Sequence, residues 1–255
     1  MESTGLATAH FWDSQNNKYD LKIANEEDPV IQFFVHELPW PQLKTVFEVG
    51  CFPGGYLAYF GSKGLELNGI DLSNRVLTDL IPFYKSQQLK TGILQQGNFF
   101  EFDVGKGFDL VCSFGFVEHF EQWQQVVKKH VALLNMGGYM IITAPNFRGA
   151  FQNFFHRNFD LENYRRHYIP SMNPGLWKIF LEGQGMEIIK QGYFGSFDIW
   201  VEERLPLIKK IIVGVLVRLK PLLSKFIAKG SESYSPYCGI IARKKMGSPE
   251  AKNIK

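Results

Sequence analysis

The sequence is poor in cysteine, in charge of one sign and in long apolar runs. Cys51, Cys112 and Cys238 are the three cysteines, an odd number without C-x-x-C spacing, which supports neither a disulfide framework nor a thiolate zinc site. The 28 basic and 25 acidic residues leave a formal charge of +3, too even for a dedicated nucleic-acid surface. Basic residues concentrate only at Lys209–Lys210, at Arg218 and Lys220, and in the tail from Arg243 to Lys255. The N-terminus, M-E-S-T-G-L-A-T-A-H, has neither a basic start nor an apolar run, so no signal peptide is expected and a reducing, cytoplasmic location follows. Within the apolar segment near the C-terminus the longest charge-free apolar run, Ile211 to Val217, falls far short of the ~20 residues that a membrane span needs. What the chain has in quantity is phenylalanine, 23 residues, clustered from Phe99 to Phe120 and from Phe147 to Phe159. Those clusters read either as core or as the lining of an aromatic cavity.

At 255 residues the chain suits one large domain, with or without an insertion. Val30, Phe33, Phe34 and Leu38 fall on one helical face, and Pro39 and Pro41 stop that helix. A short β-rich run, T-V-F-E-V, then enters the turn G-C-F-P-G-G before a helix near Tyr56–Phe60. Residues 65–71 and 92–99 predict further strands, with a helix between them for which Ser73 is the expected cap. Residues 108–116 predict a fourth strand, and Trp123, Val126, Val127, Val131 and Leu134 mark the face of the helix that follows. Asn135 to Gly138 is expected to end that helix, and residues 139–145 form a fifth strand. Alternation of strand and helix predicts a parallel sheet covered on both faces. Residues 146–172 show no clean period, 173–183 read as helix, 186–200 as a strand with a bend, and 235–244 as a last strand. The apolar segment 205–228, edged by Lys209, Lys210, Arg218, Lys220 and Lys225, reads as a cover helix, an interfacial helix meeting a membrane or lipid-linked substrate, or a dimer contact.

The turn after T-V-F-E-V narrows the chemistry. Its glycines at 50, 54 and 55 miss the G-x-G-x-x-G dinucleotide fingerprint, and no G-K-[ST] follows to reach a triphosphate. Glu48, two residues before the first glycine, would repel phosphates but suits a cofactor bearing an ammonium group. Asp71, closing the second strand, is placed to accept hydrogen bonds from both ribose hydroxyls. An adenosine carrying an amino acid fits that pair. Phe52 is the misfit, standing where such a turn favours a small residue; it either points behind the loop or narrows the pocket.

In order, E-V-G-C-F-P-G-G, G-I-D-L-S, G-N-F, F-D-L-V-C-S-F-G-F-V-E-H-F and L-L-N-M-G-G-Y-M-I-I-T-A-P-N-F resemble the class I S-adenosylmethionine-dependent methyltransferases, of the type 11/12 kind. The resemblance implies a Rossmann-like α/β fold: a seven-stranded sheet with its last strand antiparallel, helices on both faces, and a helical or irregular cap. It implies an N-terminal helical cap over 1–40 and a methyltransferase domain over 41–255, with cap insertions near 146–185 and 200–230. S-adenosyl-L-methionine is the implied cofactor. The loop of Gly50, Cys51, Phe52 and Gly54 would pass beneath its methionine part, with Glu48 organising the loop or the amino group. Asp71 would bind ribose and Leu72 pack by the adenine. Asn98 stands where many relatives have an acid reading the adenine amino group, so that bond loses its charge assistance. Phe99 would flank the ring, and Ser113, Phe114 and Gly115 would line the far side. The segment P-N-F-R-G and the closing S-P-Y-C-G-I-I-A-R-K also resemble bacterial methyltransferases of surface-polysaccharide pathways.

Methyl transfer to a hydroxyl benefits from a base, and histidine suits that near neutral pH. Glu118 and His119 after the fourth strand, and His167 with Tyr164 in the irregular segment, are the candidates; helix capping or a structural hydrogen bond is the competing role for the first pair. His10, His36, His130 and His156 show no ligand spacing, so no metal is expected. Arg148, Arg157, Arg165 and Arg166 suit a carboxylate, a phosphate or a sugar-linked diphosphate. The partner expected is a small molecule, with no nucleic acid: only A-P-N-F stands at residues 144–147 where an N-P-P-Y or D-P-P-Y motif would be. A monomer and a homodimer are both open. A nicotinamide-dependent oxidoreductase and a non-catalytic scaffold of the same fold remain as rival readings.

Overall fold

The computed structural model describes residues 20–201, 205–226 and 230–247. The first half of the expected N-terminal cap, His10 and most of the basic tail lie outside them. The strands are β1 (Thr45–Val49), β2 (Glu66–Asp71), β3 (Thr91–Gln96), β4 (Phe108–Phe114), β5 (Leu134–Pro145), β6 (Met186–Phe194) and β7 (Tyr237–Lys244). The helices are α1 (Pro29–Phe34), α2 (Gly55–Ser62), α3 (Ile81–Ser86), α4 (Trp123–Ala132), α5 (Ala150–Phe159), α6 (Leu161–Arg165), α7 (Pro174–Gly183) and α8 (Leu207–Phe226).

One seven-stranded sheet runs in the order β3-β2-β1-β4-β5-β7-β6. Every neighbouring pair is parallel except those of β7, which lies antiparallel to both β5 and β6. This is the Rossmann-like sheet with a reversed last strand that the sequence led us to expect.

The central strands β1, β4, β5 and β7 read as largely apolar runs because both faces are buried. Alternate residues separate into two cores. Phe47, Val111, Met140, Ile142, Ile240 and Ala242 join Trp123, Val126, Val127 and Trp177 on one face. Val46, Leu110, Ile141 and Ile241 join Phe34, Leu57, Phe60 and Tyr84 on the other.

Local signals set the helix ends. Asp28 caps α1 by accepting from the Val30 N–H at 2.8 Å, and Asn173 caps α7 by accepting from Gly175 and Leu176 at 3.0 and 3.3 Å. Ser73 accepts the Arg75 N–H at 3.3 Å at the head of the π-helical turn Val76–Leu80 that leads into α3. On α4 the buried residues are Trp123, Val126, Val127, His130 and Val131, the expected face, while Leu134 belongs to β5.

Two expectations are corrected. β5 begins at Leu134 rather than Tyr139, because its pairing with β4 shifts register between Phe108 and Leu110 and absorbs the Asn135–Gly138 stretch. Residues 146–172 are not irregular throughout, since α5 and α6 occupy much of them. The bend expected within 186–200 ends β6 at Phe194, before Gly195 at φ +87°.

Asp109 ties the opposite edge of the sheet. Its carboxylate accepts from the Lys44 and Thr45 amides at 3.0 Å, from Thr45 Oγ1 at 3.1 Å and from Asn135 Nδ2 at 2.9 Å, binding the starts of β1, β4 and β5 together.

Candidate functional site

The C-terminal ends of β1, β2, β3 and β4 carry most of the predicted site residues, the edge where open parallel sheets hold ligands. At the end of β1 the chain turns through Gly50 at φ +72°, and both the Gly50 and Cys51 amides donate to the Ile70 carbonyl, at 2.9 and 3.2 Å. A side chain on Gly50 would be strained by that φ, and its Cβ would stand 2.8 Å from the Phe116 ring. Gly54, at φ +78°, precedes α2; its back is packed by Leu80 and Tyr84, whose hydroxyl donates to the Gly54 carbonyl at 2.9 Å. Glycine at 54 is therefore already demanded by packing inside the protein.

Glu48 lies beneath this loop, 4% exposed. One carboxylate oxygen, Oε2, is buried without a hydrogen-bond partner. Burial first, and the neighbouring Asp71 charge second, hold its carboxyl well above the ordinary range, while a bond from the Leu57 backbone acts the other way. An unpartnered buried acceptor costs free energy until a donor reaches it. A ligand ammonium is such a donor.

Asp71 is held by the backbone on both sides. Its Oδ2 accepts the Phe52 N–H at 3.0 Å and its Oδ1 accepts the Ser73 N–H at 2.9 Å. Leu72, next along, is 41% exposed, an apolar surface open to a partner.

The remaining predicted cofactor residues divide. Cys51 turns its thiol inward against Gly69. Phe52 is 9% exposed, packed in the core on the α2–α3 side, with the Arg75 guanidinium over its ring at 4.8 Å. Phe99 is buried against Phe116 and His130, at ring separations of 5.9 and 5.1 Å. Phe114 stands with Tyr56 at 4.6 Å and Phe34 at 6.0 Å, on the α1–α2 face of the sheet. Asn98 accepts from the Phe100 amide at 3.0 Å and donates to Glu101 at 3.1 Å, a local turn. Ser113 is fully buried at the end of β4 with its hydroxyl unpartnered.

Beyond β4 the chain brings together Glu118, His119 and His167. One donor atom from each lies within 4.8 Å of the others, and the two imidazole rings are 4.7 Å apart. Main-chain bonds place His167 there: the Tyr168 amide donates to the Glu118 carbonyl at 2.7 Å, and His119 Nδ1 lies 3.0 Å from the Arg166 carbonyl. His167 Nδ1 is 2.6 Å from the Asn163 carbonyl, so it carries the proton and leaves the Nε2 lone pair to act.

Burial raises the Glu118 carboxyl to about 8 and lowers His119 to about 4. Burial, then the neighbouring His119, lowers His167 to about 3. Both imidazoles are thus neutral at neutral pH. Both Glu118 carboxylate oxygens are buried and unpartnered.

The other histidines do not join this cluster. His156 bonds Asp160 at 2.8 Å beneath Phe147, His130 sits inside α4 with Nδ1 on the Val126 carbonyl at 2.8 Å, and His36 is exposed. Of the arginines, Arg148 faces Glu232 at 3.7 Å, while Arg157 and Arg165 are exposed. Tyr164 is occupied by Asn153, which donates to its hydroxyl at 3.0 Å.

Two residues escaped the sequence reading. Phe116 covers Gly50, and Tyr56 holds its hydroxyl 3.3 Å from both Asp28 carboxylate oxygens. Phe116 was visible only as the tail of a strand, and Tyr56 only as a helix start.

The central part of the chain, residues 47–140, matches a family described as a methyltransferase domain. Among solved structures, a SAM-dependent methyltransferase from Archaeoglobus fulgidus is 18% identical over 93% of this chain and 95% of that one, with a TM-score of 0.51. The magnesium protoporphyrin IX methyltransferase of Synechocystis, solved with bound SAH, is 13% identical over 85% of this chain and 80% of that one, with a TM-score of 0.53. The plantazolicin methyltransferase, solved in complex with SAH, is 15% identical over 91% and 89% of the two chains, with a TM-score of 0.53. No curated protein sequence matches the chain. At these identities the likeness to solved structures is one of fold.

Proposed function

This chain carries a methyltransferase domain on the class I S-adenosylmethionine-dependent methyltransferase fold, and on that premise we propose that it methylates a hydroxyl of a small molecule, a sugar or a lipid-like compound, from S-adenosylmethionine. The observation that carries the cofactor reading is the buried, unpartnered Oε2 of Glu48 beside the Gly50 turn. An ammonium group would satisfy it, whereas the pyrophosphate of a nicotinamide dinucleotide brings no donor to that oxygen. SAH in the Synechocystis and plantazolicin enzymes fits the same choice.

In this reading Glu48 holds the amino group, the Gly50–Gly54 loop passes beneath the methionine part through its backbone, and Asp71 takes the ribose hydroxyls. Leu72 offers apolar surface to the adenine, with Phe99 and Asn98 behind it and Ser113 on the far side. Cys51, Phe52 and Phe114 shape the loop from the core rather than by touching the ligand. S-adenosylmethionine supplies an electrophilic methyl group, so the protein needs to position the acceptor oxygen, exclude water and help remove one proton. Glu118, His119 and His167 receive that oxygen, and His167 Nε2 is the base.

The cap over 146–185 and 200–230 chooses the acceptor. Its helix α8 turns a stripe of Leu207, Ile208, Ile211, Ile212, Val215, Leu219 and Leu222 to solvent. The opposite side holds the protein through Lys209, which donates to the Asn158 carbonyl, and Lys220, which pairs with Asp198 at 2.6 Å. No helix among the described residues is long and apolar enough to cross a membrane. An exposed apolar stripe with basic flanks suits a helix lying at a membrane surface, where a lipid-like acceptor would be met.

Calorimetric titration with S-adenosylmethionine and S-adenosylhomocysteine tests the cofactor reading. Binding in the micromolar range is expected. Binding of a nicotinamide dinucleotide in their place would replace it with the oxidoreductase, and binding of none with the scaffold.

A further inference from the structure

We propose that Glu118, His119 and His167 form a binding site for one divalent transition-metal cation of the zinc class. Among the described residues no other trio of metal-capable side chains converges. One carboxylate and two imidazoles make a mixed oxygen and nitrogen set that suits zinc, manganese or iron better than magnesium or calcium.

The decisive feature is Glu118. It is 1% exposed and neither carboxylate oxygen has a hydrogen-bond partner. The competing structural role, capping or a structural hydrogen bond, requires a donor on that side chain, and the one that acts on it, its own backbone N–H, makes no full hydrogen bond. A cation beside it would satisfy both orphaned oxygens.

His167 is prepared in the way a ligating histidine is. It places Nδ1 2.6 Å from the Asn163 carbonyl, which fixes the tautomer and turns Nε2 toward the cluster. His119 places Nδ1 3.0 Å from the Arg166 carbonyl and also meets the Gly115 carbonyl, a contact that a metal would displace. Phe147 stands edge-on to the His167 ring at 4.9 Å, which limits its rotation.

The donor atoms now span up to 4.8 Å. Bonds of about 2.1 Å to a tetrahedral ion place ligands roughly 3.4 Å apart, so side-chain adjustments of about an ångström complete the shell. Three protein ligands leave one position open. The ion and one carboxylate together keep a net positive charge there, which favours an oxyanion.

For the role of this ion the inference rests on the methyl-transfer reading above. An acceptor hydroxyl in the open position would lose its proton to solvent more readily. In the loaded protein this acidification takes the place of direct proton removal by His167. Metal binding itself does not depend on that reading.

The test uses the full chain, stripped with a chelator and titrated with Zn2+ by calorimetry, with metal content measured after gel filtration. One ion per chain is expected. Cobalt in its place should give the visible absorption of a tetrahedral site. Glu118→Gln and His167→Gln should each weaken binding by at least about tenfold, by analogy with the loss on disturbing the groups around a metal. S-adenosylhomocysteine binding should stay unchanged in both, which shows that the variants fold and keeps the result separate from the cofactor reading. Absence of zinc uptake by the wild type, or uptake by both variants equal to it, overturns the proposal.

Discussion

The backbone N–H of Phe52 donates to the carboxylate of Asp71 at 3.0 Å, so the turn after β1 is fastened to the end of β2. The same carboxylate accepts the Ser73 amide at 2.9 Å. Asp71 therefore serves the loop before any ligand arrives, and the loop's shape and the ribose site share one side chain. Asp71→Ala should lower the melting temperature and weaken S-adenosylmethionine binding by roughly 10- to 100-fold, the scale of one or two lost charged hydrogen bonds. Asp71→Asn should keep part of both. Thermal melts and calorimetry on the two variants check this; full-strength binding by Asp71→Ala would exclude it from the ribose site.

Phe52 separates a core role from a ligand role. Its ring is 9% exposed and lies under Arg75. Phe52→Ala should cost about 2–4 kcal/mol of stability, toward the lower part of the range for buried aromatics because the ring is near the surface. S-adenosylhomocysteine affinity should change by less than about threefold once the variant is folded. Urea unfolding and calorimetry read the two quantities apart. A large loss of affinity with little loss of stability would put the ring in the pocket.

Glu48 makes cofactor binding release a proton. Burial, then Asp71, holds its carboxyl well above the ordinary range in the free protein. A ligand ammonium prefers the carboxylate, so binding expels the proton that Glu48 carries. Affinity should rise with pH and level off once pH passes the raised value. Calorimetry in two buffers of different ionisation heat measures the proton directly. Glu48→Gln should abolish the difference between the buffers and weaken binding about tenfold or more. Equal heats for the wild type would remove Glu48 from the ammonium site.

Asp109 predicts acid sensitivity at the opposite edge. Burial would raise its carboxyl, but bonds from Asn135, Lys44 and Thr45 outweigh that and leave it below its ordinary value. A depressed carboxyl stabilises the fold above its unfolded pKa of about 4, and that stability is lost as pH falls through the folded value. Asp109→Ala should therefore melt lower than the wild type at pH near 7, and the gap should close as pH drops below about 4. Melting curves across that range check it; a constant gap would mean that the charge contributes nothing.

The sheet was legible because its signals are local. Apolar runs and turn glycines mark each strand, and the order of motifs supplied the topology. α5 was hidden for a physical reason: its buried face, Gln152, Phe155, His156 and Phe159, has helical spacing, but two of its four members are polar. Gln152 is accepted inside because it donates to the Asp198 and Tyr234 carbonyls, and His156 because it meets Asp160. The Asp198 and Tyr234 carbonyls, 46 and 82 residues away, cannot be read from a hydropathy pattern. The meeting of His167 with Glu118 and His119 was equally out of reach, since it depends on backbone bonds between segments far apart in sequence. The placement of Glu48 and Asp71 at strand ends was legible because the sheet fixes it.

The exposed stripe on α8 gives the last prediction. Leu207 and Ile208 are each 74% exposed, and Ile211 is 60% exposed, which is costly in water for a helix with no cover. Lys210, Arg218 and Lys225 lie along one border of that stripe, and each cation near an anionic surface adds about 1 kcal/mol of attraction. The protein should sediment with vesicles containing phosphatidylglycerol, less with purely zwitterionic vesicles, and less again in high salt. Replacing Ile208, Ile211 and Val215 together by Asp should abolish sedimentation while leaving S-adenosylhomocysteine binding intact. If the wild type instead runs as a dimer without lipid and this triple variant runs as a monomer, the stripe is a subunit contact and the membrane reading fails.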